Sequence, residues 1–142
     1  MPSLDNMILR QIIMDHYENP RNHELVEDDS YKKVNMDSET CIDNIDIQAK
    51  IENGVIEDIR FDGEACAICT SSTSIMTELL IGKTIDEARV IIENYMNMIF
   101  EKDYDPEILE EASAFYNTHK QANRIKCATL GGKGITQLID ES

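Results

Sequence analysis

Positive charge is scarce in this chain. Its 142 residues carry 13 lysines and arginines against 28 aspartates and glutamates, a formal net charge of -15. A duplex-binding surface needs a basic stripe to neutralise phosphates, and the absence of one argues against nucleic-acid binding. The acidity itself reads as a solvated surface that keeps the chain soluble and steers it toward basic partners. No run of 18 apolar residues occurs, so no membrane-spanning helix is expected. The stretch Met1 to Met14 is too short in its apolar part and too charged for a signal peptide, which makes a cytoplasmic location the expectation. Known catalytic motifs are missing as well. Gly131-Gly132-Lys133-Gly134 lacks the Walker spacing and the trailing Ser or Thr. No nucleophile elbow supports a Ser-His-Asp triad. The three histidines, His16, His23 and His119, form no H-x₃-H zinc pair. Surface or hydrogen-bonded structure is the expectation for all three, with His119 the one to watch because it precedes Cys127 by eight residues.

What is present suffices for a folded core. Apolar residues make up 42% of the chain, and the length suggests a single domain over residues 1–142. Leu4 to Tyr17 reads as an amphipathic helix, with Leu4, Met7, Ile8, Ile12 and Met14 available for one apolar face. Asn19-Pro20 ends it, since the residue before proline avoids the helical region. Residues 20–30 read as loop, and Tyr31 to Met36 is a weak strand candidate. Ile45, Ile47, Ala49 and Ile51 then alternate with Asp46, Gln48 and Lys50, the two-residue period of a half-buried strand. Asn53-Gly54 is a hairpin turn signal, and Val55 to Phe61 is its partner strand, closed by Asp62-Gly63.

Ala67 to Ile81 reads as a helix stopped at Gly82, although Ser71 to Ser74 are poor helix formers. They suggest close packing, or a first turn that serves a site. Thr84 and Glu87 form a capping-box pattern for a helix to about Phe100. Pro106 opens a short helix to Phe115, residues 117–123 read as polar connector, and Cys127 to Ile139 is the last helix candidate, weakened by Gly131, Gly132 and Gly134. Strands come early and helices late. The expected class is α+β, a small antiparallel sheet of about three strands packed against several helices.

Chemistry concentrates in the cysteines. In a reducing compartment, thiols serve more often as ligands or nucleophiles than as staples, though each alone also fits a small buried hydrophobe. Cys41 is followed by Asp43, Cys66 stands where a helix should begin, and Cys127 follows Arg124 and Lys126. The hairpin places its two ends side by side, which brings Cys41 near Cys66 across 24 intervening residues. If the fold also delivers Cys127 and Asp43 there, an S₃O pocket results, the donor count zinc prefers. Such a set overcompensates a divalent ion by about two charges, which Arg124 and Lys126 are placed to ease. Asp43 alone reads as readily as a turn or capping residue. Cys66-Ala-Ile-Cys69 offers a dithiol redox reading, but that wants a βαβ context and usually a facing proline. The only prolines are Pro2, Pro20 and Pro106.

Four segments carry a family resemblance over nearly the whole length. Asp15-His16-Tyr17-Glu18-Asn19-Pro20-Arg21-Asn22 is similar to a D-H-Y-x-N-P-R-N opening, and Cys41-Ile42-Asp43 to C-G-D. Phe61 to Ile68 is similar to F-x-G-x-G-C-x-I, and Arg124 to Leu130 to R-x-K-C-A-T-L. On these segments the chain resembles the SufU branch of the IscU-like, NifU N-terminal family of iron–sulfur cluster assembly proteins. Lys126 stands where IscU-like members carry a histidine, and residues 101–123 look like the SufU insertion.

The resemblance implies a zinc site made by Cys41, Asp43, Cys66 and Cys127. It also implies a SufS-type cysteine desulfurase as partner, with downstream cluster assembly or acceptor proteins beyond it. In the SufU branch a desulfurase histidine is thought to take a place on the zinc, freeing the thiolate that corresponds to Cys41 to accept persulfide sulfur. That is a sulfurtransferase-like relay rather than a stand-alone enzyme. Two other readings use the same ligands: a scaffold on which an iron–sulfur cluster is built and transferred, and a structural zinc domain. The chain departs from the pattern at Ile42 and Ala65 (glycines in the family) and at Cys69 (usually serine), where a fifth ligand or competing thiol arises. Asp37 to Thr40 also lacks the usual Asn-Pro. These changes bear on the mobility of the Cys41 loop.

Overall fold

A computed structural model of the protein describes residues 2–38, 42–115 and 122–141. Helix α1 spans Pro2–Glu18 and is followed by strands β1 (Lys32–Asp37), β2 (Asn44–Glu52) and β3 (Val55–Glu64). Helices α2 (Ala67–Leu80) and α3 (Ile85–Ile99) come next, then two short 3₁₀ segments, Pro106–Ile108 and Glu110–Phe115, and finally α4 (Ala122–Asp140). The strands form one antiparallel sheet in the order β1-β2-β3. The expected α+β class and sheet are therefore observed, and β1 is a full member of the sheet.

The hairpin follows from its turn chemistry. Asn53 and Gly54 both take positive φ, at 54° and 75°, the backbone a tight hairpin turn requires. Alternation along β2 and β3 buries Ile45, Ile47, Ala49, Ile59 and Phe61. β3 runs past Asp62-Gly63 to Glu64, so those residues do not close the hairpin as expected. Asn44 pairs with Glu64, and Gly63 at φ 132° lies against the β2 backbone. A Cβ there would collide with the Asn44 carbonyl oxygen and approach Ile45 Cα to 2.9 Å. Glycine lets the strand continue to the edge of the site.

α2 is the centre of the molecule. Ser71, Ser72, Thr73, Ser74 and Thr77 are all buried along with Ile75, Met76, Leu79 and Leu80. Back-bonding makes that burial tolerable. Ser71 Oγ donates to the Ala67 carbonyl at 2.6 Å, and Thr77 Oγ1 donates to the Ser74 carbonyl at 2.7 Å. Short side chains allow the neighbouring helix to approach closely. A Cβ on Gly131 of α4 would lie 3.0 Å from Thr73 Cβ, and one on Gly134 would lie 2.5 Å from Ile47 Cδ1. The glycines expected to weaken the last helix are where α4 meets α2 and the sheet, and tertiary packing outweighs their poor helix propensity.

Three further boundaries differ from the sequence reading. α4 begins at Ala122, so Cys127 lies inside the helix and residues 122–123 are not connector. The short helix expected from Pro106 to Phe115 is present as two 3₁₀ segments, Pro106–Ile108 and Glu110–Phe115. On α1, Leu9, Ile12 and Ile13 pack toward the core and His16 is buried, whereas Met7, Ile8 and Met14 are exposed. The helix is rotated from the expected face because the residues after it are tied down. The Arg21 N–H donates to Ser74 Oγ at 2.8 Å, Asn22 Nδ2 donates to Thr77 Oγ1 at 3.0 Å, and the Phe61 N–H donates to the Asn22 carbonyl at 3.0 Å. The expected capping box on α3 is present, with Thr84 Oγ1 accepting from the Glu87 N–H and Glu87 Oε1 from the Thr84 N–H. Among the described residues, no helix is long and apolar enough to cross a membrane.

Candidate metal centre

One end of the β2–β3 hairpin meets the start of α2. The Asn44–Glu64 pair sets the two strand ends side by side. Asp43 precedes that pair on one strand, and Cys66 follows it by two residues on the other. Asp43 is fully buried, and its Oδ1 accepts the Cys66 backbone N–H at 2.7 Å. The Asp43 carbonyl accepts the Ser38 N–H at 2.9 Å, so the β1–β2 connection is tied at its base. The Asp43 side chain thus fastens the hairpin end to the head of α2, and it also faces the thiols.

Cys66 is the N-cap of α2, with φ -70° and ψ 171°. Its Sγ accepts the Cys69 N–H at 3.4 Å, in the way a capping oxygen would. Cys127 arrives from α4 and is 1% exposed. Asp43, Cys66 and Cys127 each offer a donor atom, and the three atoms lie within 4.8 Å of one another. Asp43 Oδ2 and Cys66 Sγ are 3.8 Å apart. A tetrahedral zinc ion with ordinary Zn–S and Zn–O distances sets sulfur and oxygen about 3.5 Å apart. The donor chemistry and the spacing both fit zinc, with two sulfurs and one oxygen in place and one position left for a fourth ligand. The same thiolates suit an iron–sulfur cluster.

The other sequence-derived residues divide. Cys41 and His119 lie outside the described residues. Arg124 and Lys126 are exposed on α4, three residues and one residue before Cys127. Arg124 shares the Cys127 face by helical spacing. Cys69 is fully buried in α2 and is not one of the three grouped donors. Cys66, Cys69 and Cys127 form no disulfide, and the sheet beside them is antiparallel, without the βαβ unit a thioredoxin-like pair requires. His23 tilts against Phe61 with ring centroids 4.8 Å apart and stands 3.3 Å from Asp62. His16 is buried and hydrogen-bonded, the second of its two expected placements, with Nδ1 2.8 Å from Ser74 Oγ. Its other nitrogen faces Glu78 and Glu111, a grouping that no sequence spacing announces.

A three-stranded antiparallel sheet with a buried carboxylate and two cysteines at the hairpin's open end defines an α+β protein with a candidate thiol-rich metal site. The model of the NifU-like N terminal domain matches residues 8–133, and the chain belongs to that family. It is 39% identical over 129 residues to the zinc-dependent sulfurtransferase SufU of Bacillus subtilis, covering 90% of this chain and 86% of that one. It is 31% identical over 138 residues to the iron–sulfur cluster assembly scaffold protein IscU of Streptococcus pyogenes, covering 96% and 86%. The crystal structure of the SufU protein from Fervidobacterium islandicum superposes with a TM-score of 0.83 at 28% identity, covering 91% of this chain and 94% of that one.

Proposed function

We propose that the chain serves iron–sulfur cluster assembly as an acceptor of persulfide sulfur from a SufS-type cysteine desulfurase, with zinc held by Cys41, Asp43, Cys66 and Cys127. The observation that carries this reading is the convergence of Asp43, Cys66 and Cys127 in a relative of a zinc-dependent sulfurtransferase. Cys41 stands two residues before Asp43 in the chain. Zinc, when bound, keeps its cysteine ligands deprotonated at neutral pH.

The chain's own residues do the rest. Asp43 is aimed by the Cys66 N–H, Cys66 is held at the head of α2, and Cys127 is shielded inside α4. These three are permanent donors, and Cys41 is the one that reacts. Its thiolate attacks the outer sulfur of the desulfurase persulfide. The donor S–S bond breaks, the desulfurase cysteine leaves as a thiolate, and the outer sulfur remains bonded to Cys41. No net oxidant or reductant is consumed. Ile42, 69% exposed, gives the acceptor an apolar flank for the partner to cover. Arg124 and Lys126 offset part of the site's negative charge. Such a relay works in the cytoplasm and hands sulfur on to cluster assembly.

The test is desulfurase turnover in the presence of the zinc-loaded chain. Cys41→Ala abolishes stimulation, and full stimulation by that variant overturns the assignment. A scaffold reading is favoured by the IscU relative and uses the same thiolates. Metal analysis separates the two. Tightly held stoichiometric zinc and no visible cluster absorption after anaerobic reconstitution support the relay, whereas a stable chromophore supports the scaffold. A structural zinc domain would unfold on zinc removal and leave the desulfurase unaffected.

A further inference from the structure

A second group of ligating side chains lies at the opposite end of α2 from Cys66. His16 comes from α1, Glu78 from the last turn of α2, and Glu111 from the second 3₁₀ segment. One donor atom from each lies within 4.8 Å of the others. His16 Nε2 is 3.5 Å from Glu111 Oε2 and 3.8 Å from Glu78 Oε1. The three side chains line a cavity of about 220 Å³ together with Ile75, Leu79 and Glu110.

We propose that His16, Glu78 and Glu111 form a second site for a first-row divalent cation. The central fact is the state of His16. Its ring is 1% exposed, and its Nε2 is buried without a hydrogen-bond partner. A buried polar atom with nothing to bond costs free energy, and native structures rarely leave one. Its other nitrogen, Nδ1, lies 2.8 Å from Ser74 Oγ. That contact fixes the ring, and in the tautomer that carries its proton on Nδ1 the Nε2 lone pair is free on the side of Glu78 and Glu111. This is the arrangement of a metal-ligating histidine, oriented through its second nitrogen.

The carboxylates complete the donor set. Glu78 and Glu111 are about half-exposed, at 47% and 54%, so they adjust at little cost. Zinc bound to one nitrogen and two oxygens would draw neighbouring donors to about 3.4 Å, a short step from the observed spacing. Glu110 adds a further negative charge at the rim. Arg21 is the nearby cation, with Nε 3.7 Å from Glu78 Oε1, but its guanidinium is engaged with Asp15 at 2.6 Å. One imidazole and two carboxylates make a harder set than the thiolate cluster. It suits Mn²⁺, Fe²⁺ or Zn²⁺ with coordination positions open to the cavity, while the cysteines retain zinc.

The experiment titrates Mn²⁺ into the zinc-loaded full chain and follows the free-ion electron paramagnetic resonance signal. One Mn²⁺ per chain is expected, with zinc content unchanged. Glu78→Gln and Glu111→Gln, at exposed positions that leave the core intact, each weaken binding by about tenfold or more, and the pair abolishes it. Glu24→Gln/Glu27→Gln, two exposed glutamates elsewhere, leaves it unchanged. Bound Mn²⁺ broadens the His16 ring resonances before those of His23. Failure of the wild type to take up Mn²⁺ at millimolar concentration overturns the site. So does equal uptake by the Glu78/Glu111 and control pairs, which would mean diffuse attraction to 28 acidic side chains. Desulfurase stimulation is a separate readout, and its outcome leaves this test untouched.

Discussion

Asp43 Oδ1 accepts the backbone N–H of Cys66 at 2.7 Å, across 23 residues of sequence. One short contact therefore joins the end of the first hairpin connection to the N-terminus of α2. The carboxylate that fixes this junction is itself fully buried beside two thiols. A buried carboxylate next to thiolates is unfavourable unless a cation shares the space.

Asp43→Asn separates the two roles. An amide oxygen can still accept the Cys66 N–H, but the negative charge is gone. Zinc affinity falls by about tenfold or more in chelator competition. Saturating zinc raises wild-type stability by about 2.7 kcal/mol at one hundred times the dissociation constant, and the variant gains correspondingly less at the same zinc concentration. In the zinc-free protein, where no cation offsets the buried charge, the variant melts no lower than the wild type. Equal zinc affinities would remove Asp43 from the ligand set.

Gly131→Ala tests the approach of α4 to α2. In an open helix the change would stabilise by about 1 kcal/mol. Here the new methyl meets Thr73, and the expected result is destabilisation of about 1–3 kcal/mol in urea melts. Thr73→Ala removes the nearest atoms and restores part of the loss. A double-mutant cycle with no coupling would show that the helices are not in close contact at this point.

Tyr31→Phe addresses a side-chain pair on the sheet. Tyr31 Oη donates to Asp58 Oδ2 at 2.5 Å, and Arg60 Nε donates to the same oxygen at 2.8 Å. Burial raises the Asp58 pKa, but the hydrogen bonds from Tyr31 and Arg60 outweigh it and hold the carboxyl below its usual value. The hydrogen bond to Asp58, with burial, raises the Tyr31 pKa. The carboxylate's contribution is therefore present above its unfolded pKa near 3.9 and is lost as pH falls through the lower folded value. The tyrosine's contribution is present below about pH 10 and is lost as pH rises through its raised value. The variant should lose about 1–2 kcal/mol at neutral pH and converge on the wild type in acid. A penalty that persists undiminished at pH 2 would assign the loss to packing instead.

The hairpin was legible because alternation along Ile45, Ile47, Ala49 and the Asn53-Gly54 turn are local signals, and local signals set strand pairing and register. The pair expected at its open end was Cys41 and Cys66; Cys41 lies outside the described residues, and the structure shows Asp43 beside Cys66. The start of α4 was not legible, because residues 122–126 carry no start signal and the three glycines count against helix until Thr73 and Ile47 are seen opposite them. The face of α1 was misjudged for a related reason. Its apolar residues allow more than one stripe, and the choice was made by Ser74 and Thr77 bonding the segment after it.

By itself the amino-acid sequence determined the fold class, the β2–β3 hairpin and three of the helices, and its motifs pointed to the family and to a thiol-rich site. Only the tertiary structure decided that Cys127, inside α4, meets Asp43 and Cys66, and that His16 faces Glu78 and Glu111. The physical reason is one of range. Periodicity and turn chemistry act over a few residues, whereas the placement of α4 and of α1 against α2 depends on shape complementarity among side chains far apart along the chain.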